Sequence, residues 1–275
     1  MQAFIRATTE EMRMTDPTIQ VLKTDSWCEI TLNRPEKLNS FNEDMHLALR
    51  KAITDAQAGG ARALLLTGAG RAFCAGQDLG DRDPSKMTAP PDLGHTVRTF
   101  YAPLVNQIRS LPVPVVCAVN GVAAGAGASL ELACDIVLAG KSARFIQSFS
   151  KVGLIPDTGG SWHLPKLLGE ARAKGLALTA LPISAERAAD WGLIWDCVDD
   201  ADLMDDARAL TAQLAAGPTL GLGLTKAAIQ TAATNSLAEQ LELEATYMKI
   251  CGESADYAEG VSAFLQKRKA EFQGK

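Results

Sequence analysis

Two stretches of small residues decide the fold: Phe73-Cys74-Ala75-Gly76-Gln77-Asp78-Leu79 and Asn120-Gly121-Val122-Ala123-Ala124-Gly125-Ala126-Gly127. The first follows the apolar run 63–67, and the second follows the apolar run 113–119. Each pattern predicts a buried strand that breaks into a tight loop and then turns helical. The first turn of a helix leaves backbone N–H groups without intrahelical acceptors, and small residues let a ligand atom approach them. Two such donors directed at one atom would form an oxyanion hole.

An aspartate in a third tight turn is the candidate proton carrier. Asp157 stands in the segment Gly153-Leu-Ile-Pro-Asp-Thr-Gly-Gly160, among apolar residues. Such surroundings suit a proton-transfer group, because desolvation raises the pKa of a carboxyl toward neutrality. A structural interpretation stays open beside it, since aspartate also forms Asx turns and helix N-caps, here with Thr158 as its neighbour.

The composition limits the possible partners. The chain has 275 residues, of which 47% are hydrophobic, a net charge of −5 and a pI near 5.3, which argues against nucleic acid or an anionic membrane. The uncharged run 113–130 reaches membrane-spanning length, but Pro114, Asn120 and several glycines interrupt it. Six cysteines without a C-x-x-C pair predict reduced thiols in a cytoplasmic protein, and the three histidines lack H-E-x-x-H spacing, so we expect no metal site.

The order of the elements predicts an α/β fold followed by helices. Strands alternate with helices up to about residue 200, and only helical patterns follow. We therefore divide the chain into a disordered tail at 1–16, which has no apolar signal segment, a core at 17–201 and a helical region at 202–275. A capping box, Ser40-Phe-Asn-Glu43, is predicted to open a helix that buries Met45, Leu49 and Ile53. The predicted strands are 18–22, 28–32, 63–67, 113–119 and 136–139, and the other predicted helices are 93–110, 129–134, 185–191, 202–216, 219–233, 236–251 and 255–272.

Five segments, in this order along the chain, resemble the crotonase (enoyl-CoA hydratase/isomerase) superfamily. They are residues 33–39, 66–78, 114–135, 153–160 and 264–268. The resemblance implies a spiral of ββα units and a C-terminal helical region that builds trimers, often paired into hexamers. It also implies an acyl-CoA thioester as substrate and no separate cofactor, because coenzyme A is part of that substrate.

The resemblance assigns the oxyanion hole to the backbone N–H groups of Gln77 and Ala126. The physics agrees, because a thioester enolate needs two preorganised donors, and a helix that starts near Ala126 adds positive potential. Arg82, Phe100 and Tyr101 are expected at the acyl end of the substrate. The remaining positions that the resemblance assigns to substrate or coenzyme A, the last two through a neighbouring subunit, are Lys37, Ala75, Gln77, Asp78, Leu79, Gly125, Phe264 and Lys267.

Two departures from the family pattern decide the chemistry. Hydratases of this family carry two glutamates, and Ser129 and Phe149 stand at those positions here. Neither side chain transfers protons at neutral pH, so water addition to an enoyl-CoA is not expected. Glu131 lies two residues away from the first position and, on a helix, faces elsewhere, which indicates a structural role.

Asp157 occupies a position where several isomerases of the family carry their acid. The surrounding residues 155–162 resemble the phenylacetate-pathway branch, whose members convert a ring-1,2-epoxyphenylacetyl-CoA to an oxepin thioester and shift 3-enoyl-CoA double bonds. We therefore predict an acyl-CoA isomerase with Asp157, Gln77 and Ala126 as its catalytic groups. The alternatives are a 3,2-enoyl-CoA isomerase or hydratase-like enzyme and, from another class, a non-catalytic acyl-CoA-binding protein.

Overall fold

A computed structural model describes residues 13–15, 18–83, 85 and 88–275. Its centre holds two sheets, a seven-stranded sheet in the order β1-β2-β3-β4-β6-β8-β11 and a four-stranded sheet in the order β10-β9-β7-β5. In the large sheet β1, β2 and β3 are antiparallel neighbours, and the pairs from β3 to β11 are parallel. In the small sheet β5, β7 and β9 are parallel, whereas β10 pairs antiparallel with β9.

The strands and helices have the following bounds. The strands are β1 Arg13–Thr15, β2 Ile19–Lys23, β3 Trp27–Leu32, β4 Ala63–Gly68, β5 Ala72–Cys74, β6 Val115–Val119, β7 Val122–Ala124, β8 Ile136–Gly140, β9 Arg144–Ile146, β10 Ile183–Ser184 and β11 Asp196–Val198. The α-helices are α1 Glu43–Ala58, α2 Leu93–Thr96, α3 Ala102–Ser110, α4 Gly127–Leu130, α5 Gly160–Thr179, α6 Ala185–Asp190, α7 Leu203–Ala215, α8 Thr219–Ala232, α9 Leu237–Gly252 and α10 Ala255–Gln266.

From β4 to β9, successive strands alternate between the two sheets. β4, β6 and β8 belong to the large sheet, and each is followed by a three-residue strand, β5, β7 or β9, of the small sheet. The side chains of β4 and β6 are buried throughout, as expected of strands that are covered on both faces. This repeated two-sheet path is the spiral that the family resemblance predicts, and it confirms the predicted α/β class.

Several predicted elements are confirmed, and the start of α1 needs correction. The hairpin of β2 and β3 is present, and α1 buries Met45, Leu49 and Ile53. Asn42 is the N-cap of α1, because its side chain accepts a hydrogen bond from the Met45 N–H, so the predicted capping box is wrong. The Ser40 hydroxyl instead donates to the Lys37 carbonyl at 2.9 Å.

Other differences lie in the helices. The predicted helix 93–110 is interrupted by a π-helical segment, Val97–Tyr101, between α2 and α3. The predicted helix 255–272 ends earlier, at Gln266, because Lys267 adopts a left-handed conformation. The 20-residue helix α5 was not predicted; it contains Pro165 and a non-helical Gly169.

The ends of the chain differ in what the structure describes. Of the predicted tail, 1–16, only Arg13–Thr15 lies within the described residues, and it forms β1 beside β2. The predicted boundary at 201/202 falls just before α7, whose Leu203 and Ala207 pack on the large sheet. No helix in the described ranges combines the length and the hydrophobicity that crossing a bilayer requires.

Candidate active site

The two glycine-rich loops meet at the carboxyl ends of β5 and β7. These strands pair in parallel, with Ala72 opposite Val122, so the loops that follow them leave the same edge of the small sheet. A Cβ on Gly127 would lie 2.2 Å from the Cys74 carbonyl oxygen, and one on Gly76 would lie 2.8 Å from the Ala124 carbonyl oxygen. The close approach of the two backbones therefore requires glycine at both positions.

The two predicted oxyanion donors lie at this junction. The Ala126 nitrogen is 3.1 Å from the position that a Gly76 Cβ would take, directly beside the peptide that carries the Gln77 N–H. Neither N–H donates a hydrogen bond to any other group in the described part of the chain. Ala126 is the N-cap of α4, so its N–H precedes the first helical turn. The arrangement provides two free donors beside each other, as an oxyanion hole needs.

Asp78 holds the first loop in place. Its carboxylate forms an ion pair with the Arg34 guanidinium at 2.9 Å and accepts the Gly80 N–H at 3.0 Å. Burial alone would raise the pKa of Asp78, but the Gly80 N–H, Arg34 and Lys37 together lower it. A carboxylate with three such partners stays ionised and supports the turn.

Asp157 lies in the loop before α5, half-buried. Its carboxylate accepts a hydrogen bond from the Thr158 hydroxyl at 2.8 Å, and its carbonyl accepts the Gly160 N–H at 2.8 Å. Burial raises the pKa of Asp157, and the Thr158 hydroxyl and Arg82 offset only part of that rise. The carboxylate does not cap α5, because the N-cap is Gly159 and no side chain bonds to that helix end.

The loop of Asp157 packs beside the oxyanion junction. A Cβ on Gly160 would lie 2.4 Å from the Ser129 hydroxyl oxygen, so this loop contacts α4, the helix that starts beyond Ala126. Asp157 also raises the pKa of Tyr101, for which burial is the larger cause. The carboxylate, the tyrosine and the two backbone donors thus share one region of the molecule.

A cavity of 970 Å³ opens beside this region. Arg82 lies in its wall and acts electrostatically on Asp157 and Tyr101. The cavity is lined by Leu79, Gly80, Arg82, Asp83, Thr88, Ala89, Pro90, Pro91, Leu93, Val152 and Leu154. Its size and mostly apolar wall suit the acyl part of a substrate.

The two positions that the family resemblance compares with the hydratase glutamates hold packed side chains. Ser129 is fully buried, and its hydroxyl lies within 3.4 Å of the Gly125 carbonyl oxygen. Phe149 is buried near the same loop. Glu131 is also fully buried, and neither of its carboxyl oxygens has a hydrogen-bond partner among the described residues. Burial raises the pKa of Glu131 well above its usual value.

The remaining predicted contacts fall into two groups. Ala75, Leu79 and Gly125 belong to the two loops at the junction, and Lys37 is exposed near Asp78. Phe264 and Lys267 lie at the end of α10, where Phe264 is 82% exposed and borders a separate cavity with Tyr257 and Phe272. Their assigned contacts with coenzyme A stay predictions.

Two histidines are buried, and they have different neighbours. His163 is buried beside Trp162, and burial together with Arg109 and Lys166 lowers its pKa to about 4, so it stays neutral in the core. Sequence reasoning missed His46, which lies between the rings of Phe41 and Phe100. Its place on the buried face of α1 was predictable, but no motif marks it as part of the site.

Comparison with known proteins places the chain in a family. The family model for enoyl-CoA hydratase/isomerase matches residues 23–275, and the chain belongs to this family. The chain is 57% identical over 247 residues to the 1,2-epoxyphenylacetyl-CoA isomerase of Escherichia coli K12. The matched region covers 90% of this chain and 94% of that relative. It is 30% identical to the crotonyl-CoA hydratase of Syntrophomonas wolfei, covering 91% and 95% of the two chains.

A solved structure supports the same fold. The crystal structure of an enoyl-CoA hydratase from Polaromonas sp. JS666 superimposes with a TM-score of 0.86 at 34% identity, covering 93% of this chain and 99% of that one. In the described residues, no group of three or more histidine, cysteine or acidic side chains is placed to hold a metal ion.

Proposed function

We propose that this protein is an acyl-CoA isomerase that acts on 1,2-epoxyphenylacetyl-CoA. The observation that carries the proposal is the pairing of one half-buried carboxyl, Asp157, with two free backbone donors, while the two hydratase positions hold Ser129 and Phe149. The 57% identity to an isomerase named for this substrate supports it.

The proposed reaction is a proton shift along a thioester enolate. The epoxide first opens to the seven-membered oxepin by breaking the ring carbon–carbon bond that carries the oxygen. Asp157 then takes a proton from the carbon next to the thioester carbonyl, and the negative charge moves to the thioester oxygen. The Gln77 and Ala126 N–H groups stabilise that oxygen. Asp157 returns the proton two carbons further on, so the product contains the same atoms as the substrate.

The same proton shift would also convert a second class of substrate, the 3-enoyl-CoA thioesters. A 3-enoyl-CoA also has a double bond one carbon beyond the acidic position, and moving its proton yields the conjugated 2-enoyl-CoA. One base above an enolate is sufficient for both reactions. Isomerisation of 3-enoyl-CoA is therefore expected as a side activity, and an enzyme whose main substrate is a 3-enoyl-CoA is the nearest alternative.

Hydration should be slow. Each missing acid–base group costs roughly 10²–10⁴-fold in rate. The two hydratase positions are packed, and a glutamate at 129 would need space that the Gly160 backbone occupies. Rapid hydration of crotonyl-CoA by the purified protein would contradict the assignment of Ser129 and Phe149.

The decisive assay offers the purified protein two thioesters. Ring-epoxidised phenylacetyl-CoA, generated in situ, should disappear with formation of a product of unchanged mass and a new conjugated absorbance. A 3-enoyl-CoA should be converted to the 2-enoyl-CoA at a lower rate. If coenzyme A thioesters bind but neither is converted, the non-catalytic binding protein is the correct alternative.

We also propose that the protein works as a trimer or hexamer in the cytoplasm and uses no cofactor. Large apolar side chains on α8, α9 and α10 are exposed in the single chain: Ile229, Leu237, Leu241, Met248, Phe264 and Leu265. Closed rings are the usual way to bury such faces. All six cysteines are free thiols, in keeping with a reducing compartment. Light scattering at micromolar concentration tests the assembly, and a monomeric mass would contradict it.

A further inference from the structure

Tyr101 lies at an irregular, π-helical part of its helix. The π-helical segment Val97–Tyr101 separates α2 from α3, and Tyr101 is its last residue. A π-helical turn is rare, and it occurs often at functional sites. The Tyr101 side chain is 1% exposed, so a residue that carries a polar hydroxyl is placed in the interior.

The Tyr101 hydroxyl has a specific partner there. It donates a hydrogen bond to Oε1 of Gln77 at 2.9 Å. The other end of the same amide, Nε2, donates to the Phe41 carbonyl oxygen at 2.9 Å. The Gln77 side chain is therefore held at both ends, although the oxyanion hole needs only its backbone.

The Phe41 backbone connects that side chain to the donor peptide. Its carbonyl oxygen also accepts the Asp78 N–H at 2.9 Å, and its N–H donates to the Gly76 carbonyl oxygen at 2.7 Å. The Gly76 carbonyl and the Gln77 N–H belong to one planar peptide group and point in opposite directions. Fixing the carbonyl against Phe41 therefore fixes the direction of the N–H that faces the substrate.

We propose that Tyr101 is a positioning residue of the oxyanion hole, which through the Gln77 side chain and Phe41 keeps the Gln77 N–H directed at the thioester oxygen. The inference rests on the proposed function in so far as it assigns the hole to Gln77 and Ala126. It explains why residue 77 carries a long amide side chain at a position whose predicted task needs the backbone alone.

Electrostatics keep the hydroxyl in its donor form. Burial raises the pKa of Tyr101 well above its usual value, and the nearby Asp157 carboxylate adds to that rise. The ring itself is held by an edge contact to His46 at 4.5 Å and by Phe41 at 6.0 Å. A phenylalanine would keep these ring contacts, so Tyr101→Phe removes the hydroxyl alone.

The test measures the hole directly, without requiring turnover. Phenylacetyl-CoA with a ¹³C-labelled thioester carbonyl is bound to the wild type, Tyr101→Phe, Gln77→Ala and the double variant, and the carbonyl stretching band is recorded. Hydrogen bonds from the oxyanion hole should lower the frequency of the carbonyl band in the wild type. Either single substitution should reverse part of that frequency shift. Tyr247→Phe, on α9, is the matched control and should leave the band unchanged.

Turnover supplies the second measurement. Loss of a whole oxyanion donor costs about 10²–10³-fold, so a misdirected donor should cost roughly 10-fold in kcat, with KM nearly unchanged. Because both residues act through one chain of hydrogen bonds, the double variant should be no slower than the slower single variant.

Two results overturn the inference: a Tyr101→Phe variant whose band and kcat equal those of the wild type, or single effects that multiply in the double variant. The proposed function is tested separately. If the wild type converts neither thioester but Tyr101→Phe still reverses the band shift, the proposed function fails and the role of Tyr101 stands.

Discussion

The two halves of the site are built in opposite ways. The proposed oxyanion half consists of backbone N–H groups, held by the pairing of β5 with β7 and by glycines that leave no space for a Cβ. The proposed acid half is one side chain in a loop, whose carboxylate accepts a hydrogen bond from the Thr158 hydroxyl. The first half is therefore inseparable from the fold, whereas the second can be removed by exchanging one atom. That difference determines what each substitution will do.

Gly127→Ala should have the largest effect, because it should lower both the stability of the fold and the rate of turnover. The new Cβ would lie 2.2 Å from the Cys74 carbonyl oxygen, so β5 and α4 would have to separate. We expect a loss of stability of about 3 kcal/mol, the upper end for overpacking, together with a 10²-fold or greater loss of turnover. Thermal melting and the isomerase assay measure the two effects.

The control for that variant is another glycine. An added Cβ on Gly175, on α5, would meet no described atom within 4 Å beyond its chain neighbours and its own helix backbone. Gly175→Ala should therefore keep full activity and gain roughly 0.5–1 kcal/mol from helix propensity. A Gly127→Ala protein with normal melting and activity would show that the two loops can accept a Cβ between them.

Asp157→Asn should separate chemistry from fold. Asparagine keeps the size of the side chain and an oxygen for the Thr158 hydroxyl, but it cannot take a proton. We expect turnover to fall about 10²-fold or more while acyl-CoA binding is retained, because the oxyanion donors are backbone groups. Single-turnover assays and calorimetric titration with phenylacetyl-CoA measure the two quantities.

Glu131→Gln is the matched control for the acid. Glu131 is a second buried carboxyl next to α4. Burial raises its pKa well above the usual value, and its oxygens have no hydrogen-bond partner among the described residues, so an uncharged isostere should change turnover little. An active Asp157→Asn together with an inactive Glu131→Gln would exchange the roles of the two carboxyls. A folded Asp157→Asn variant with nearly full activity would leave only the turn-forming interpretation of Asp157.

Thr158→Val tests the hydroxyl that supports the acid. The Thr158 hydrogen bond lowers the pKa of Asp157 against the larger effect of burial, so its removal should raise that pKa further. The base must be ionised to act; the acid limb of the kcat/KM profile should therefore move to higher pH, with a few-fold loss at neutral pH. Thr158→Ser, which keeps the hydroxyl, should leave the limb near its wild-type position, and identical profiles for Val and Ser would contradict the argument.

The same contrast explains what the sequence could predict. The glycines of the oxyanion half follow apolar runs and mark close backbone approach, so both loops and their meeting were predictable. β5, β7 and β9 were not predicted, because a three-residue strand is too short to show a period-2 pattern. Helix α5 was missed since Pro165 and Gly169 interrupt its pattern.

Side-chain detail was the least predictable part. Ser40 and Asn42 are both good N-cap residues, and only the contact of Ser40 with the Lys37 carbonyl decides between them. Tyr101 could be placed at the acyl end, but no residue pattern marks its bond to Gln77 or the π-helical segment that ends at Tyr101. The position of Asp157 near the site followed from the family resemblance, whereas its partly buried setting needed the packing of its loop on α4.

The smallest expected effect is on stability, and it has the opposite sign to the effect on activity. Burial raises the pKa of Asp157 above 3.8, so the folded protein binds this proton more tightly than the unfolded chain does. The stability that the protonated group contributes is present below pH 3.8 and is lost as the pH rises through the folded-state pKa. At neutral pH the ionised Asp157 therefore lowers stability relative to a neutral isostere, and Asp157→Asn should melt slightly higher than the wild type. The difference should shrink as the pH falls toward the folded-state pKa of Asp157. A variant that instead melts lower at neutral pH would show that the charged carboxylate stabilises its own turn, and the acid half of the site would then be as much a part of the fold as the oxyanion half.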